Sequence, residues 1–315
     1  LHDAGCSLFI DGKHICSITE ERLSRIKYDG SYPEKSIGYC LKYAGITSDK
    51  VDKVYSVPPH QFISLDQVDS GLAEKMLKNS FPNASVHFLG HHFCHAVSSV
   101  YSSPFNEGTF LTLDGGGSAI ADFFKHSIDH IENNSIGYFN KEKRIFRFYN
   151  MWENSYNNFG SFYTAASHGI YYEMIGEESP MDWKVIMGMP GKIMGLSAYG
   201  STEHYVPGYK ITNHSIPYAN ISNKWFSGVS PQDSAAWIQK TFEDGLVDLL
   251  KALRKNHLSE NICFSGGCFL NILSNSKILK SELFDNVHIP PFTDDSGVSL
   301  CLTLSLRISL FSALY

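Results

Sequence analysis

Two stretches of this chain follow one plan, a short apolar run that stops at glycines. Thr109-Phe110-Leu111-Thr112-Leu113 runs into Asp114-Gly115-Gly116-Gly117, and Asn261-Ile262-Cys263-Phe264 runs into Ser265-Gly266-Gly267-Cys268-Phe269-Leu270-Asn271. Runs of this length and apolar character read as strands, the second as a buried one. Glycines directly after a strand let backbone amides approach an anion. Strand, glycine pair and helix start is also the geometry that binds phosphate, because free amides and the helix dipole point at the anion. The lysine of a P-loop is absent, so this is not that motif. A tight turn that packs a helix closely on its strand explains either loop without a ligand.

The rest of the chain alternates in the same way. Residues 7–10 and 14–19 flank Asp11-Gly12 and read as a hairpin with a type I′ turn. Pro33 opens a helix that Gly45 stops. A strand over 51–57, a helix over 65–78, a strand over 85–89 and a helix over about 91–102 follow. From Thr109 the pattern begins again, with further strands expected over 119–124, 135–139 and 144–149, and a helix over 158–172. Ser230 and Pro231 open the clearest helix, with Ala235, Ile238, Phe242, Leu246, Leu249 and Leu253 at helical spacing. A last strand is expected over 287–289, then a final helix after Asp294-Asp295, in which an N-cap explains one of the two aspartates. The expected fold is α/β with two subdomains, 1–106 and 107–315, the second interrupted by an irregular stretch around 151–230. The charged run Glu20-Glu21-Arg22-Leu23-Ser24-Arg25-Ile26-Lys27 reads, from charge alone, as a solvated face.

His91 and His95 stand four apart in Gly90-His91-His92-Phe93-Cys94-His95, so both imidazoles leave one face of the helix. That is half of a transition-metal site. His92 occupies the place where a zincin has its glutamate base, which rules out that protease chemistry. A third ligand has to come from elsewhere, and the Asp294-Asp295 pair offers one.

A net charge of -6 argues against a nucleic-acid groove or an anionic membrane as partner. The closing apolar run from Val298 is broken by Arg307 and serines and is short for a membrane span. Seven cysteines without a CxxC pair fit buried thiols in a reducing compartment, the cytoplasm. Leu1-His2-Asp3 is polar, so no secretory leader is expected, and a start at Leu with a strand close behind suggests a clipped N-terminus.

Several motifs taken together resemble the N-terminal domain of the NodU/CmcH-type O-carbamoyltransferases, which include the tobramycin, cephamycin and nodulation-factor carbamoyltransferases. They are His2-Asp3-Ala4, Glu20-Glu21-Arg22 with Arg25 and Lys27, Tyr32-Pro33-Glu34-Lys35, and His91-His92 through His95-Ala96. Asp114-Gly115, Gly191-Lys192 through Gly200, Ser265-Gly266-Gly267 through Asn271, and Pro290-Pro291 through Asp295 continue the match, which spans nearly the whole chain. The family domain is similar to TsaD-type threonylcarbamoyl transferases and has the duplicated ribonuclease H-like (actin/Hsp70, ASKHA-type) fold, with a nucleotide and metal cleft between two α/β subdomains.

The resemblance implies that His91, His95 and Asp295 hold a metal, usually Fe(II), with Mn or Zn as alternatives. It implies carbamoyl transfer from carbamoyladenylate, made from carbamoyl phosphate and ATP, to a hydroxyl of a small-molecule or sugar acceptor. Asp114, Gly115, Gly116, Gly266, Gly267 and Asn271 would hold the nucleotide, and His2, Asp3, Lys27 and Lys192 would serve the acceptor side. A YrdC-like domain that makes the adenylate is expected to be absent, its work falling to a separate partner or domain. The chain departs from the family at Met189-Pro190, where an acidic residue is usual, over 177–189, and at Cys301. A threonylcarbamoyl transferase on tRNA and an inactive nucleotide-binding module are the competing readings.

Overall fold

The computed structural model describes residues 2–57, 70–117, 132, 134–151, 159–175, 183–203, 228–255 and 259–303. Strands β1 (Gly5–Ile10) and β2 (Lys13–Thr19) form the expected hairpin. Asp11 and Gly12 have φ of 51° and 73°, positive at both central residues as a type I′ turn requires. The short helix α1 (Glu20–Ser24) follows directly.

The charged run after the hairpin is not solvated throughout. Glu20 is 3% exposed, and its carboxylate accepts the amides of Lys35 at 3.1 Å and Ser36 at 2.8 Å. Those are first-turn amides of α2 (Glu34–Ala44), whose N-cap position, Pro33, offers no side-chain acceptor. Glu20 supplies the missing cap from outside the helix. Gly45, with φ of 68°, ends α2 in the left-handed region.

Strands β3 (Lys53–Ser56) and β4 (Ser85–Phe88) pair in parallel around α3 (Ser70–Ser80). Residues 65–69 of the helix expected there lie outside the described residues. Helix α4 (His91–Ser102) then begins where its histidines predict.

The second half holds a five-stranded sheet of β5 (Glu107–Leu113), β6 (Asn134–Asn140), β7 (Ile145–Met151), β8 (Asn261–Ser265) and β9 (Asn286–His288). Its order is β7-β6-β5-β8-β9. The meander β5-β6-β7 is antiparallel, and β8 and β9 run parallel to β5. This puts the ends of β5 and β8 side by side, so both glycine turns leave the same edge. The strand expected over 119–124 lies outside the described residues. Helices α5 (Phe159–Ile175), α6 (Trp183–Leu196), α7 (Pro231–Arg254) and α8 (Ile272–Lys280) complete the half. Ser230 caps α7 by accepting the Asp233 amide at 3.1 Å.

Successive strand residues face opposite sides of the sheet. Leu111, Leu113, Ile262 and Phe264 pack against Phe162, Phe242 and Leu246 of α5 and α7. Phe110, Phe139 and Cys263 pack on the other face against Ala96 and Val100 of α4. Each fully buried Phe or Leu here contributes about 1.5–3 kcal/mol. Sequence order groups α4 with the first half, yet its apolar face covers the second-half sheet. That packing carries the histidines to the ends of β5 and β8.

The final helix, after Pro290, is a 3₁₀ helix, Asp295–Thr303. The turn is tight at its start, with the Gly297 amide donating to the Asp294 carbonyl at 3.0 Å. Residues 304–315 lie outside the described ones. Among the described residues no helix is long and apolar enough to cross a membrane.

Candidate metal centre

His91 and His95 sit one turn apart on α4, with their Nε2 atoms 3.0 Å apart. Asp295, the first residue of the 3₁₀ helix, places Oδ1 3.2 Å from each imidazole. Its neighbour Asp294 turns away and receives the Ser296 amide at 3.2 Å. One aspartate is therefore a cap and the other faces the histidines. Asp114, expected among the nucleotide-binding residues, joins this cluster instead. Its Oδ2 lies 3.0 Å from His91 and 3.6 Å from His95. The reason is position: Asp114 is the first residue past β5, directly beside α4, and the sequence does not show which helix faces that strand end.

One donor atom from each of the four residues falls within a sphere of mutual distances of 4.8 Å or less. Ligands about 2.1 Å from a common ion and at right angles to it lie about 3.0 Å apart. The observed spacings, 3.0 to 3.6 Å, fit that requirement. Two imidazoles and two carboxylates suit Fe(II), Mn(II) or Zn(II) in donor type.

Imidazoles and carboxylates in the cluster shift one another. Burial alone would lower the pKa of His91, but the Asp295 charge and the Asp114 hydrogen bond outweigh it and raise it well above the ordinary value. His95 follows the same balance and is also raised. Burial alone would raise the carboxylates. The imidazoles outweigh it and hold Asp114 and Asp295 well below the usual range. His92 is different: burial dominates and pushes its pKa well down. Its Nδ1 lies 2.9 Å from the Ser135 hydroxyl, so it faces away from the cluster and stays neutral.

His2 and Asp3 also reach the site. His2 Nδ1 is 2.8 Å from Asp3 and 3.6 Å from Asp295. The segment is held by the Ala4 amide, which donates to Asp29 at 2.9 Å, and by the Glu20 amide, which donates to Ala4 at 2.7 Å. The Glu20 block thus scaffolds the His2-Asp3 entry. Lys27 is exposed, its amine 4.9 Å from the Tyr28 ring centroid, and Lys192 is exposed on α6. Neither forms an ion pair with the cluster among the described residues.

The remaining nucleotide candidates divide. Gly115 is exposed and Gly116 half-buried at the mouth of the turn. The Gly266 amide donates to the Thr293 carbonyl at 2.8 Å, and the Gly267 amide to Asp114 Oδ1 at 3.0 Å. They precede a 3₁₀ turn, Gly267–Leu270, rather than an α-helix. Asn271 caps α8, accepting the Ser274 amide at 3.0 Å, and donates to Gln239 at 2.8 Å. These groups hold the protein together, which the strand-glycine-helix pattern does not reveal.

A family model described as Carbamoyltransferase N-terminus matches residues 1–62 and 65–302. Nodulation protein NolNO of Sinorhizobium fredii (strain NBRC 101917 / NGR234) is 24% identical over 338 residues, which cover 98% of this chain and 47% of that protein. The chain spans about half the length of curated relatives it matches. Among solved structures, HypF of T. kodakarensis aligns with a TM-score of 0.55 at 9% identity, over 95% of this chain and 46% of that one. Component A of the Acidaminococcus fermentans (R)-2-hydroxyglutaryl-CoA dehydratase aligns with a TM-score of 0.51 at 11% identity, over 96% and 93%. These likenesses show the fold, the duplicated α/β actin/Hsp70 type.

Proposed function

The chain belongs to the carbamoyltransferase N-terminal family, and from that premise we propose that it carries the acyl-transfer centre of an O-carbamoyltransferase that moves a carbamoyl group from carbamoyladenylate to an acceptor hydroxyl. The observation that carries this reading is the convergence of His91, His95, Asp114 and Asp295 from three separate elements onto one point. Two half-buried carboxylates brought together on one pair of buried imidazoles suit a divalent cation.

His91, His95, Asp114 and Asp295 would hold Fe(II), with Mn(II) or Zn(II) as substitutes. Bound there, the ion supplies Lewis-acid polarisation of carbamoyl or phosphate oxygens. The chain's own residues do the rest. Gly115 and Gly116, at the open turn, line the path of the nucleotide. His2 stands at the edge of the cluster, oriented by Asp3. As the acceptor oxygen bonds to the carbamoyl carbon, the bond to the adenylate oxygen breaks, AMP leaves and the hydroxyl proton passes to the His2 imidazole. Lys27 and Lys192, both exposed, would serve the acceptor side. Carbamoyladenylate comes from carbamoyl phosphate and ATP on a YrdC-like domain or partner. The acceptor is a small molecule or sugar rather than a nucleic acid, in keeping with the net charge of -6. The seven free thiols suit the cytoplasm.

The test is metal analysis of anaerobically purified protein beside His91→Ala, Asp114→Ala and Asp295→Ala. About one iron per wild-type chain is expected, with all three variants depleted. AMP release from carbamoyladenylate on adding a hydroxyl acceptor should follow the metal content. A wild type that stays metal-free after anaerobic iron supply overturns the reading.

A further inference from the structure

Glu132 has no part in the chemistry above, yet it touches two of the elements that build the cluster. The residue is 6% exposed. Its Oε2 accepts the His92 amide at 3.1 Å, in the first turn of α4. Its backbone carbonyl accepts the Gly117 amide at 2.7 Å, three residues beyond Asp114. Helix α4 needs such an acceptor, because its N-cap is Gly90, which has no side chain to cap with. A carboxylate there also meets the positive end of the helix dipole.

The fit around Glu132 is close. A Cβ on Gly117 would lie 2.6 Å from Glu132 Cβ, 2.7 Å from its Oε2 and 2.7 Å from His92 Cδ2. A Cβ on Gly90 would lie 3.3 Å from Glu132 Oε1. Position 117 therefore carries glycine so that Glu132 and the His92 ring can occupy the space of a side chain. The first turn of α4 and the turn after β5 are thereby joined through one residue.

We propose that Glu132 is a positioning residue of the metal centre. It sets the register between α4, which presents His91 and His95, and the turn that presents Asp114. The inference rests on reading those three residues as metal ligands. Loss of a group hydrogen-bonded directly to a ligand typically weakens metal binding by about 10–100-fold, and Glu132, which acts through the helix that carries two ligands, is expected to fall within that range.

The experiment is Co(II) titration of the chelator-treated protein, followed by visible absorption. Glu132→Gln keeps the shape and an oxygen acceptor for the His92 amide, and it should bind Co(II) as wild type does. Glu132→Met keeps the volume without the acceptor and should bind about 10–100-fold more weakly, with altered ligand-field bands. Gly117→Ala, which displaces Glu132 by sterics, should shift affinity and bands in the same direction and serves if the Met variant does not fold. Wild-type affinity and spectrum in Glu132→Met or in Gly117→Ala overturn the proposal, and so does a Gln variant as weak as the Met one. A wild type that takes up no Co(II) removes the metal reading itself, a different result from a variant that matches a metal-binding wild type.

Discussion

After β5 the chain leaves the sheet through Asp114-Gly115-Gly116-Gly117, and after β8, its parallel neighbour, through Ser265-Gly266-Gly267. A side chain on Gly115 would meet nothing within 4 Å. A side chain on Gly266 would lie 2.1 Å from the Leu113 carbonyl oxygen, and on Gly267 2.9 Å from Asp114 Oδ1. The first turn opens outward and supplies a carboxylate to the cluster. The second is filled by the first: its glycines let the Leu113 backbone and the Asp114 carboxylate lie against it, and the Gly267 amide then holds that carboxylate at 3.0 Å. Two glycine turns can share a place in the fold and differ physically: the first is open at Gly115 and packed only at its far end, Gly117, while the second is packed against the first throughout.

The sharpest way to break this contrast is to add one methyl group to each turn. Gly266 has φ of 94°, a conformation that L side chains rarely adopt, in addition to the backbone clash. Gly266→Ala should cost at least about 3 kcal/mol or prevent folding. Gly115→Ala, in open space at negative φ, should change stability by less than about 1 kcal/mol. Urea unfolding of the two variants decides the matter. Equal small effects would mean that the second turn relaxes freely and that its glycines serve something other than packing.

This contrast also marks how far the sequence could be read. Periodicity and turn chemistry placed the hairpin at Asp11-Gly12, the helix opening at Ser230-Pro231 and the histidine helix, because each depends on local residues. The choice of Asp295 over Asp294 came through the family resemblance and matches the geometry. Local pattern did not show that α4 covers the second-half sheet, and so Asp114 was grouped with the nucleotide turn rather than with the histidines beside it. Glu20 and Glu132 escaped for one reason: each caps a helix remote from it in sequence, 14 residues away for Glu20 and Glu34. A cap supplied from outside its own helix leaves no local signature.

A smaller effect, on pH dependence, tests whether Asp114 belongs to its turn or to the cluster. In metal-free protein the His91 and His95 pKa values are raised by Asp295 and Asp114 against the pull of burial. Their stabilisation is complete below the ordinary imidazole value of about 6.5 and is lost as pH rises through the raised values. The depressed carboxylates act in the opposite direction, losing theirs as pH falls through the depressed values. Chelator-treated protein should therefore lose stability as pH climbs above about 6.5. Metal-loaded protein should gain relative to it, since the ion replaces those protons. Asp114→Asn should flatten the alkaline decline. An unchanged slope would return Asp114 to the turn alone.

The smallest expected effect concerns the far end of the filled turn. The Asn271 side chain is engaged at both ends: its oxygen accepts from Ser274 and Gln239, both at 3.0 Å, and its amide donates to Gln239 at 2.8 Å. Gln239 in turn accepts the Tyr163 hydroxyl at 2.8 Å, so the network joins α5, α7 and α8 beneath the turn. Asn271→Ala removes a helix cap and leaves buried partners unpaired, and it should cost about 1–2 kcal/mol in urea unfolding. Nucleotide affinity, measured by calorimetry at a temperature where the variant is folded, should stay at the wild-type value, because the Asn271 side chain is buried and held by Gln239 and Ser274. The reverse result, lost affinity at unchanged stability, would place a nucleotide on the filled turn. The two glycine turns would then be two halves of one binding loop, and the difference between them would lie in Asp114 alone.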